Sequence, residues 1–310
     1  MMSVPFIFPQ EFTVLVNPAA GGSRALRYIP RLTSLFASRG ISPRFILTKN
    51  AADLHLQASG NIARGAKLLV AMGGDGTFQT LVNAAFGVDV VLGILPCGGG
   101  NDVAAALGFR SGPIAAATEL LSAQPRWIDL ARARTADGRE RLYAGGGGVG
   151  LDAEAMRYAN DKFKKLPARL RYIAAALRAF RDYQAVTIRA EFPGGDLQAV
   201  ESQGLLVSVL NTPAYGGGLR LAPEARVDDG FLNLVMMDKL SAWQIAALLP
   251  RLVASGELRA PGIRRLAAQH IRLSTETPRA FQGDGEILGF TPVEISVVRK
   301  GALVLARLAR

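Results

Sequence analysis

Three glycine-rich turns, each directly after a short apolar run, constrain this chain more than any other feature: "NPAAGGS" from Asn17, "GGDGT" from Gly73 and "PCGGGND" from Pro96. The runs before them, "FTVLV", "KLLVAM" and "VVLGIL", have the length and β-branched content of buried strands. Between them lie helical patterns: Leu26, Ile29, Leu32, Leu35 and Phe36 within 24–39, and a second helix over 51–63 after the strand "RFILT". Such alternation predicts a parallel α/β sheet, whose ligand site lies at the carboxyl ends of the strands. There, bare glycine backbone can approach a ligand closely and aim N–H groups at anionic oxygens, which suits phosphates.

The grammar changes after Arg126. "WIDLARARTADGRERLYAGGG" reads as a hairpin with an Asp137-Gly138 turn, and the β-rich runs "AVTIRAEF", "GLLVSVLN", "GFLNLVMM", "HIRLS" and "VEISVVRKGALVLA" follow. With 310 residues and 49% hydrophobic content, the chain can bury two cores. The expected division is an α/β nucleotide-binding domain over 1–126 and a mainly antiparallel β domain over 127–310, with a return of the last residues to the first domain left open. Two helices, 166–183 and 242–255, interrupt the second domain.

Charged residues, glycine or proline break every apolar run before the roughly 18 residues a spanning helix needs. The start "MMSVPFIFPQEF" has no charged leader, and Cys97 is the only cysteine, so the expected compartment is cytoplasmic. The net charge of +11 attracts polyanions or simply aids solubility. Aromatics at 7% are too sparse for base stacking, so no nucleic-acid partner is expected. The segment "RYANDKFKKLPARLRYIAAALRAFRDY" sets Lys162, Lys164, Lys165, Arg169, Arg171, Arg178 and Arg181 beside Phe163, Leu166, Leu170, Ile173 and Leu177. A basic amphipathic helix of this kind either lies on an anionic membrane or covers the β domain with a solvated face.

Among the motifs, no turn fits G-x-x-x-x-G-K-[ST], which excludes an ordinary P-loop. The G-x-G-x-x-G at Gly145, Gly147 and Gly150 falls outside the α/β region and reads as a chance match or a packing turn. Asp75 stands among glycines, where a carboxylate repels a nucleotide unless a divalent cation or a transferable proton lies between them; it also suits the cap of the next helix. Both readings stay open. Asp228-Asp229-Gly230 and "FQGDGE" each read, on residues alone, as turns.

"VNPAAGG", "GGDGT", "LGILPCGGGNDVAAALG", "NTPAYGGGLRLAPEARVDDGFLNL" and "GDGEILG", in this order, resemble the lipid kinase family that includes bacterial diacylglycerol kinases, YegS-like kinases and sphingosine kinases. GGDGT is shared with NAD kinases; the last two segments are more particular to lipid kinases. The resemblance implies an NAD kinase/diacylglycerol kinase-like α/β domain followed by an antiparallel β domain. It implies an ATP-dependent kinase that phosphorylates the hydroxyl of a lipid such as diacylglycerol at an anionic membrane surface, with a homodimer left open. ATP would lie on the glycine loops in an interdomain cleft. Its contacts would come from Asn17, Pro18, Ala19, Ala20, Gly21, Thr48, Gly73, Gly74, Asp75, Gly76, Thr77, Phe78 and Gln79, and from Gly99, Asn101 and Asp102 in the third turn.

By the same resemblance Mg²⁺ takes the Asp229 carboxylate and the carbonyls of Arg226 and Phe231, a hard-oxygen set suited to that ion. A second Mg²⁺ role, bridging the ATP phosphates, falls near Asp75. Glu286 takes the place of the proton acceptor, with Asp284 its close competitor. The chain departs from the family pattern at Gly99, usually threonine, at Thr80, usually glutamate, and at Ala105, usually arginine. Two rivals remain: a soluble kinase of the NAD kinase type, and a nucleotide- or lipid-binding regulator with impaired catalysis.

Overall fold

The computed structural model describes residues 6–110, 112–150, 158, 174–175, 178, 186–238 and 262–307. The chain divides into two compact units, Met1–Ile128 with Lys300–Arg310, and Asp129–Arg299. In chain order the elements are β1 (Glu11–Val16), α1 (Ala20–Ser23), α2 (Ala25–Ala37), β2 (Ser42–Leu47), α3 (Ala51–Ala63), β3 (Leu68–Gly73), α4 (Asp75–Ala85), β4 (Val91–Pro96), α5 (Asp102–Ala106) and α6 (Pro113–Leu120). There follow β5 (Gln124–Thr135), β6 (Glu140–Tyr143), β7 (Gly146–Gly150), β8 (Val186–Glu191), β9 (Val200–Leu210), β10 (Leu232–Asp238), β11 (Ile263–Ala268), β12 (His270–Thr275), β13 (Ala280–Gly283), β14 (Glu286–Phe290) and β15 (Val293–Ala306).

The first unit is the expected parallel sheet, in the order β4, β3, β1, β2, with the end of β15 added beside β4 where Leu303 faces Val91. All six residues of β3 are buried, as befits a central parallel strand covered on both faces. α2 turns Ala25, Leu32 and Phe36 inward, and Phe36 meets Phe12 of β1 edge-on with ring centroids 5.3 Å apart. α3 opens on Asn50, whose side chain accepts from the Asp53 N–H, while Asp53 accepts from the Lys49 N–H. That reciprocal cap explains why the helix starts where the sequence predicts.

The second unit is antiparallel, in the order β14, β13, β7, β9, β8, β12, β15, with β10 and β11 branching from β9. β5 and β6 form the predicted hairpin. Gly138 has φ 79°, and Asp137 accepts from the Thr135 hydroxyl at 2.6 Å. β9 is apolar on both faces: Val207 and Val209 pack with Tyr143 and Phe281, while Leu206 and Leu210 pack with Leu221 and Val235. Each such fully buried side chain contributes about 1.5–3 kcal/mol.

One expectation needs correction. Gly146–Gly150 is strand β7, hydrogen-bonded between β13 and β9, rather than a turn. A Cβ on Gly147 would lie 2.6 Å from the Gln282 carbonyl oxygen and 2.9 Å from the Phe281 ring, so glycine is required by packing. Trp127 is 47% exposed, and the next residue, Ile128, takes the inward position. The helices expected at 166–183 and 242–255, and Trp243 with them, lie outside the described residues apart from a few positions, of which Arg178 places its guanidinium 6.0 Å from the Tyr158 ring centroid.

Candidate functional site

The strands β1, β3 and β4 run parallel, so their three glycine loops meet at one edge, where hydrogen bonds knit them together. The Asn17 N–H donates to the Met72 carbonyl (3.0 Å), its Oδ1 accepts from the Ala19 N–H (3.0 Å), and its Nδ2 donates to the Thr77 hydroxyl (3.3 Å). The Gly73 carbonyl accepts from the N–H groups of Cys97 (2.7 Å) and Gly98 (3.2 Å). Asn101, left-handed at φ 60°, accepts from the Gly98 N–H (2.9 Å) and donates back to the Gly98 carbonyl (3.0 Å). Asp75 completes the weave: its two carboxylate oxygens accept from the N–H groups of Asp102 and Val103, each at 3.1 Å. Asp75 therefore does cap a helix, but the helix is α5 of the third loop, not α4, which it begins.

The loops are packed backbone to backbone. A Cβ would come within 2.5 Å of the Cys97 carbonyl oxygen at Gly21, 2.2 Å of the Thr77 hydroxyl at Gly73, and 2.4 Å of the Gly74 Cα at Gly98. A cradle of bare backbone at the start of the eleven-residue helix α4 fits the phosphates of a nucleotide. The Gly98→Ala variant must push Gly74 aside, and we expect it to cost about 1–3 kcal/mol of stability and to weaken ATP binding. Thermal unfolding and calorimetric titration with ATP check both; unchanged values in each would refute the close-packed loop.

The remaining predicted nucleotide contacts are placed unevenly. Pro18, Gly21, Gly74, Gly76 and Gly99 are half-buried and Ala19 is exposed, so all lie within reach of a ligand. Ala20, Gly73, Thr77 and Asp102 are buried. Thr48 is buried and spends its hydroxyl on the Val16 carbonyl at 2.9 Å. Phe78 is fully buried and Gln79 is 5% exposed, because helical periodicity turns both into the core; neither side chain is offered to a ligand. Thr80 returns its hydroxyl to the Gly76 carbonyl (2.9 Å), and Ala105 is exposed. Burial pushes the Cys97 thiol up to about 11, against the opposing charge of Arg24, so it stays protonated and unreactive.

In the second unit the "GDGE" turn gives its two carboxylates different tasks. Asp284 is 7% exposed, with φ 46°, and its carboxylate accepts from the backbone N–H groups of Ala144 (2.7 Å), Gly145 (2.9 Å) and Gly146 (3.0 Å). It is a structural anion. Burial first, and then the Asp284 charge, holds the Tyr143 phenol well above its ordinary pKa, and that phenol donates to the Val209 carbonyl. Glu286, two residues on, is exposed at the start of β14, yet desolvation by the surrounding protein raises its pKa. A carboxylate with raised proton affinity and open access is suited to general base chemistry.

Residues 226–231 form a loop against the same end of this sheet. The Asp229 carboxylate accepts from the Phe231 N–H (3.0 Å), and Arg226 pairs with Asp228 (3.4 Å). Two residues that the sequence reading passed over hold this loop. Asp129, 3% exposed, donates its N–H to the Val227 carbonyl (2.6 Å) and accepts from the Gly230 N–H (2.7 Å). Asn211, fully buried, donates to the carbonyls of Asp129 (2.8 Å) and Ala144 (3.0 Å). The signal for both was a polar residue set against an apolar strand, in "WIDLA" and "VSVLN". Among the described residues no three His, Cys, Asp or Glu side chains gather as a metal cage. The loop instead offers two exposed carboxylates, Asp228, which pairs with Arg226, and Asp229, together with backbone carbonyls, a set that fits a Mg²⁺ ion keeping several of its waters.

Residues 11–133 match the diacylglycerol kinase catalytic domain, and residues 147–307 match the YegS C-terminal NAD kinase beta sandwich-like domain. The chain is 26% identical over 296 residues to a "Diacylglycerol kinase" of Mycobacterium tuberculosis (strain ATCC 25618 / H37Rv), covering 95% of this chain and 94% of that one. It is 26% identical over 286 residues to a "Probable lipid kinase YegS-like" of Stenotrophomonas maltophilia (strain K279a), covering 89% of each. A diacylglycerol kinase crystal structure from Bacillus anthracis str. Sterne shares the fold, with a TM-score of 0.68 at 21% identity over 96% of this chain and 97% of that one. Matched along both units, the chain belongs to the diacylglycerol kinase/YegS-like lipid kinase family.

Proposed function

We propose that the protein transfers the γ-phosphoryl group of ATP to the hydroxyl of a membrane lipid, diacylglycerol being the first candidate. The observation that carries the reading is Glu286, the one carboxylate of its turn that is exposed and has a raised pKa, while Asp284 is committed to three backbone N–H groups. In the reaction the lipid oxygen bonds to the γ-phosphorus, its proton passes to the Glu286 carboxylate, and the bond from the γ-phosphorus to the bridging oxygen breaks. The products are a lipid phosphate monoester and ADP.

The glycine loops of the first unit bind the phosphates through backbone N–H groups. Asp75 keeps the third loop in place through the Asp102 and Val103 N–H groups. Bound together with ATP on these loops, Mg²⁺ would supply charge neutralisation of the phosphates. At the 226–231 loop, Asp229 and the carbonyls of Arg226 and Phe231 are the residues that would hold a structural Mg²⁺. Membrane contact is peripheral in this reading: among the described residues no helix is long and apolar enough to cross a bilayer.

The direct experiment is transfer of radiolabelled γ-phosphate from ATP, with Mg²⁺, to diacylglycerol, sphingoid bases and phosphatidylglycerol in mixed micelles. A labelled lipid names the acceptor. No transfer to any lipid from folded protein would sink the reading, and ATP binding without transfer would favour the regulator. For Asp75→Asn, which turns an amide N–H₂ toward one of the α5 N–H groups, we expect a KM for ATP raised about tenfold with the fold intact. An unchanged KM would detach Asp75 from the nucleotide loops.

A further inference from the structure

We propose that Asn211 is a positioning residue that couples the 226–231 loop to the turn carrying Glu286; the consequence for catalysis rests on the lipid kinase reading above. Asn211 directly follows β9 and is fully buried. On one side it holds the backbone that Asp284 gathers. The Asn211 N–H donates to the Gly145 carbonyl at 2.7 Å, and its Nδ2 donates to the Ala144 carbonyl at 3.0 Å. The N–H groups of Ala144 and Gly145 point in turn at the Asp284 carboxylate, and the Asp284 N–H donates to the Gly146 carbonyl at 2.8 Å.

On the other side the same Nδ2 donates to the Asp129 carbonyl at 2.8 Å. Asp129 carries the 226–231 loop through its bonds with Val227 and Gly230. One amide nitrogen thus bridges two peptide carbonyls, one in β5 and one in the connection between β6 and β7. Its orientation is fixed, because a flipped amide would set Oδ1 against two carbonyl oxygens. Oδ1 itself is buried without a hydrogen-bond partner. A shift of the 226–231 loop is therefore passed through Asp129 and Asn211 to the 144–146 peptides, and from them to the Asp284 turn that aims Glu286.

The test is amide hydrogen exchange on the full chain, first stripped with a chelator and then given Mg²⁺ alone. In the wild type, Mg²⁺ is expected to slow exchange about tenfold both in the 226–231 loop and at 144–146. In Asn211→Ala the loop should keep its protection while that at 144–146 disappears. Equal protection at 144–146 in both proteins would overturn the coupling.

A second arm needs no metal and no variant at 211. Gly230 has φ 80°, which strains any side chain, so Gly230→Ala loosens the loop directly. It is expected to speed exchange at 144–146 about tenfold with amides of β8 and β12 unaffected. No change at 144–146 overturns the proposal by itself, even if Asn211→Ala does not fold. If Mg²⁺ protects nothing while Gly230→Ala acts at 144–146, the coupling stands and the Mg²⁺ assignment falls. Absence of lipid phosphorylation in the wild type would remove the kinase reading alone.

Discussion

Glu286→Gln is expected to reduce phosphoryl transfer by about 10²–10⁴-fold, the usual contribution of a positioned general base, while leaving thermal stability equal to or above that of the wild type. The stability half follows from the sign of the pKa shift. Desolvation raises the folded pKa of Glu286, so its charged form is disfavoured by folding, and the penalty is felt as pH rises through the unfolded value toward the folded one. At neutral pH glutamine removes that penalty. Below the unfolded pKa both side chains are neutral and the difference vanishes. The activity half has its own pH signature: kcat/KM should fall tenfold per pH unit on the acid side, with an inflection above the usual glutamate range. Transfer assays across pH and melting curves at pH 5 and 7.5 check both halves. A Gln variant that retains transfer, or a wild-type acid limb at or below the ordinary glutamate pKa, would remove Glu286 from the role of base.

The parallel sheet was legible because its evidence is local. β3 is a run of apolar residues that ends in a glycine turn, and Asn50 with Asp53 marks the start of α3 within four residues of sequence. β7 was not legible, because glycines advertise turns. What makes them a strand is the close approach of Phe281 and Gln282 from more than a hundred positions away. β11, with Arg264 and Arg265 in "IRRLAA", lacks alternating polarity for a related reason. Among the described residues it pairs with β10 alone, and Arg265 donates to the Leu221 carbonyl at 2.6 Å, a partner that the sequence does not bring near.

The same distinction runs through the site. That Asp75 is special could be read from the glycines around it; that its partners are the first amides of α5 could not, since they lie 27 and 28 positions on. Asp129 and Asn211 carried only the weak signal of a polar residue beside apolar ones. Their roles arise from backbone groups that meet only in the folded sheet. Chemistry written into one turn is readable, whereas chemistry assembled from several strands needs the register between them.

Asp284 supplies the second large effect, and it falls on stability. We expect Asp284→Ala to cost on the order of 4 kcal/mol, because three buried backbone N–H groups lose a charged acceptor at once and alanine is strained at φ 46°. For a unit of this size that corresponds to a fall in Tm of roughly 10 °C. Asp284→Asn separates the two causes. Asparagine tolerates a left-handed backbone, and one amide oxygen can keep the pair of bonds from Gly145 and Gly146 that meet on Oδ1, so only the Ala144 bond is lost. Its cost should be about half that of alanine. Guanidinium unfolding with an unchanged m-value measures both. Equal costs for the two variants would mean that the backbone conformation, not the carboxylate, fixes the turn; no cost for either would mean that Asp284 does not anchor the 144–146 peptides. The ordering expected here, alanine worse than asparagine and both worse than Glu286→Gln, separates the carboxylate that builds the turn from the one the turn presents.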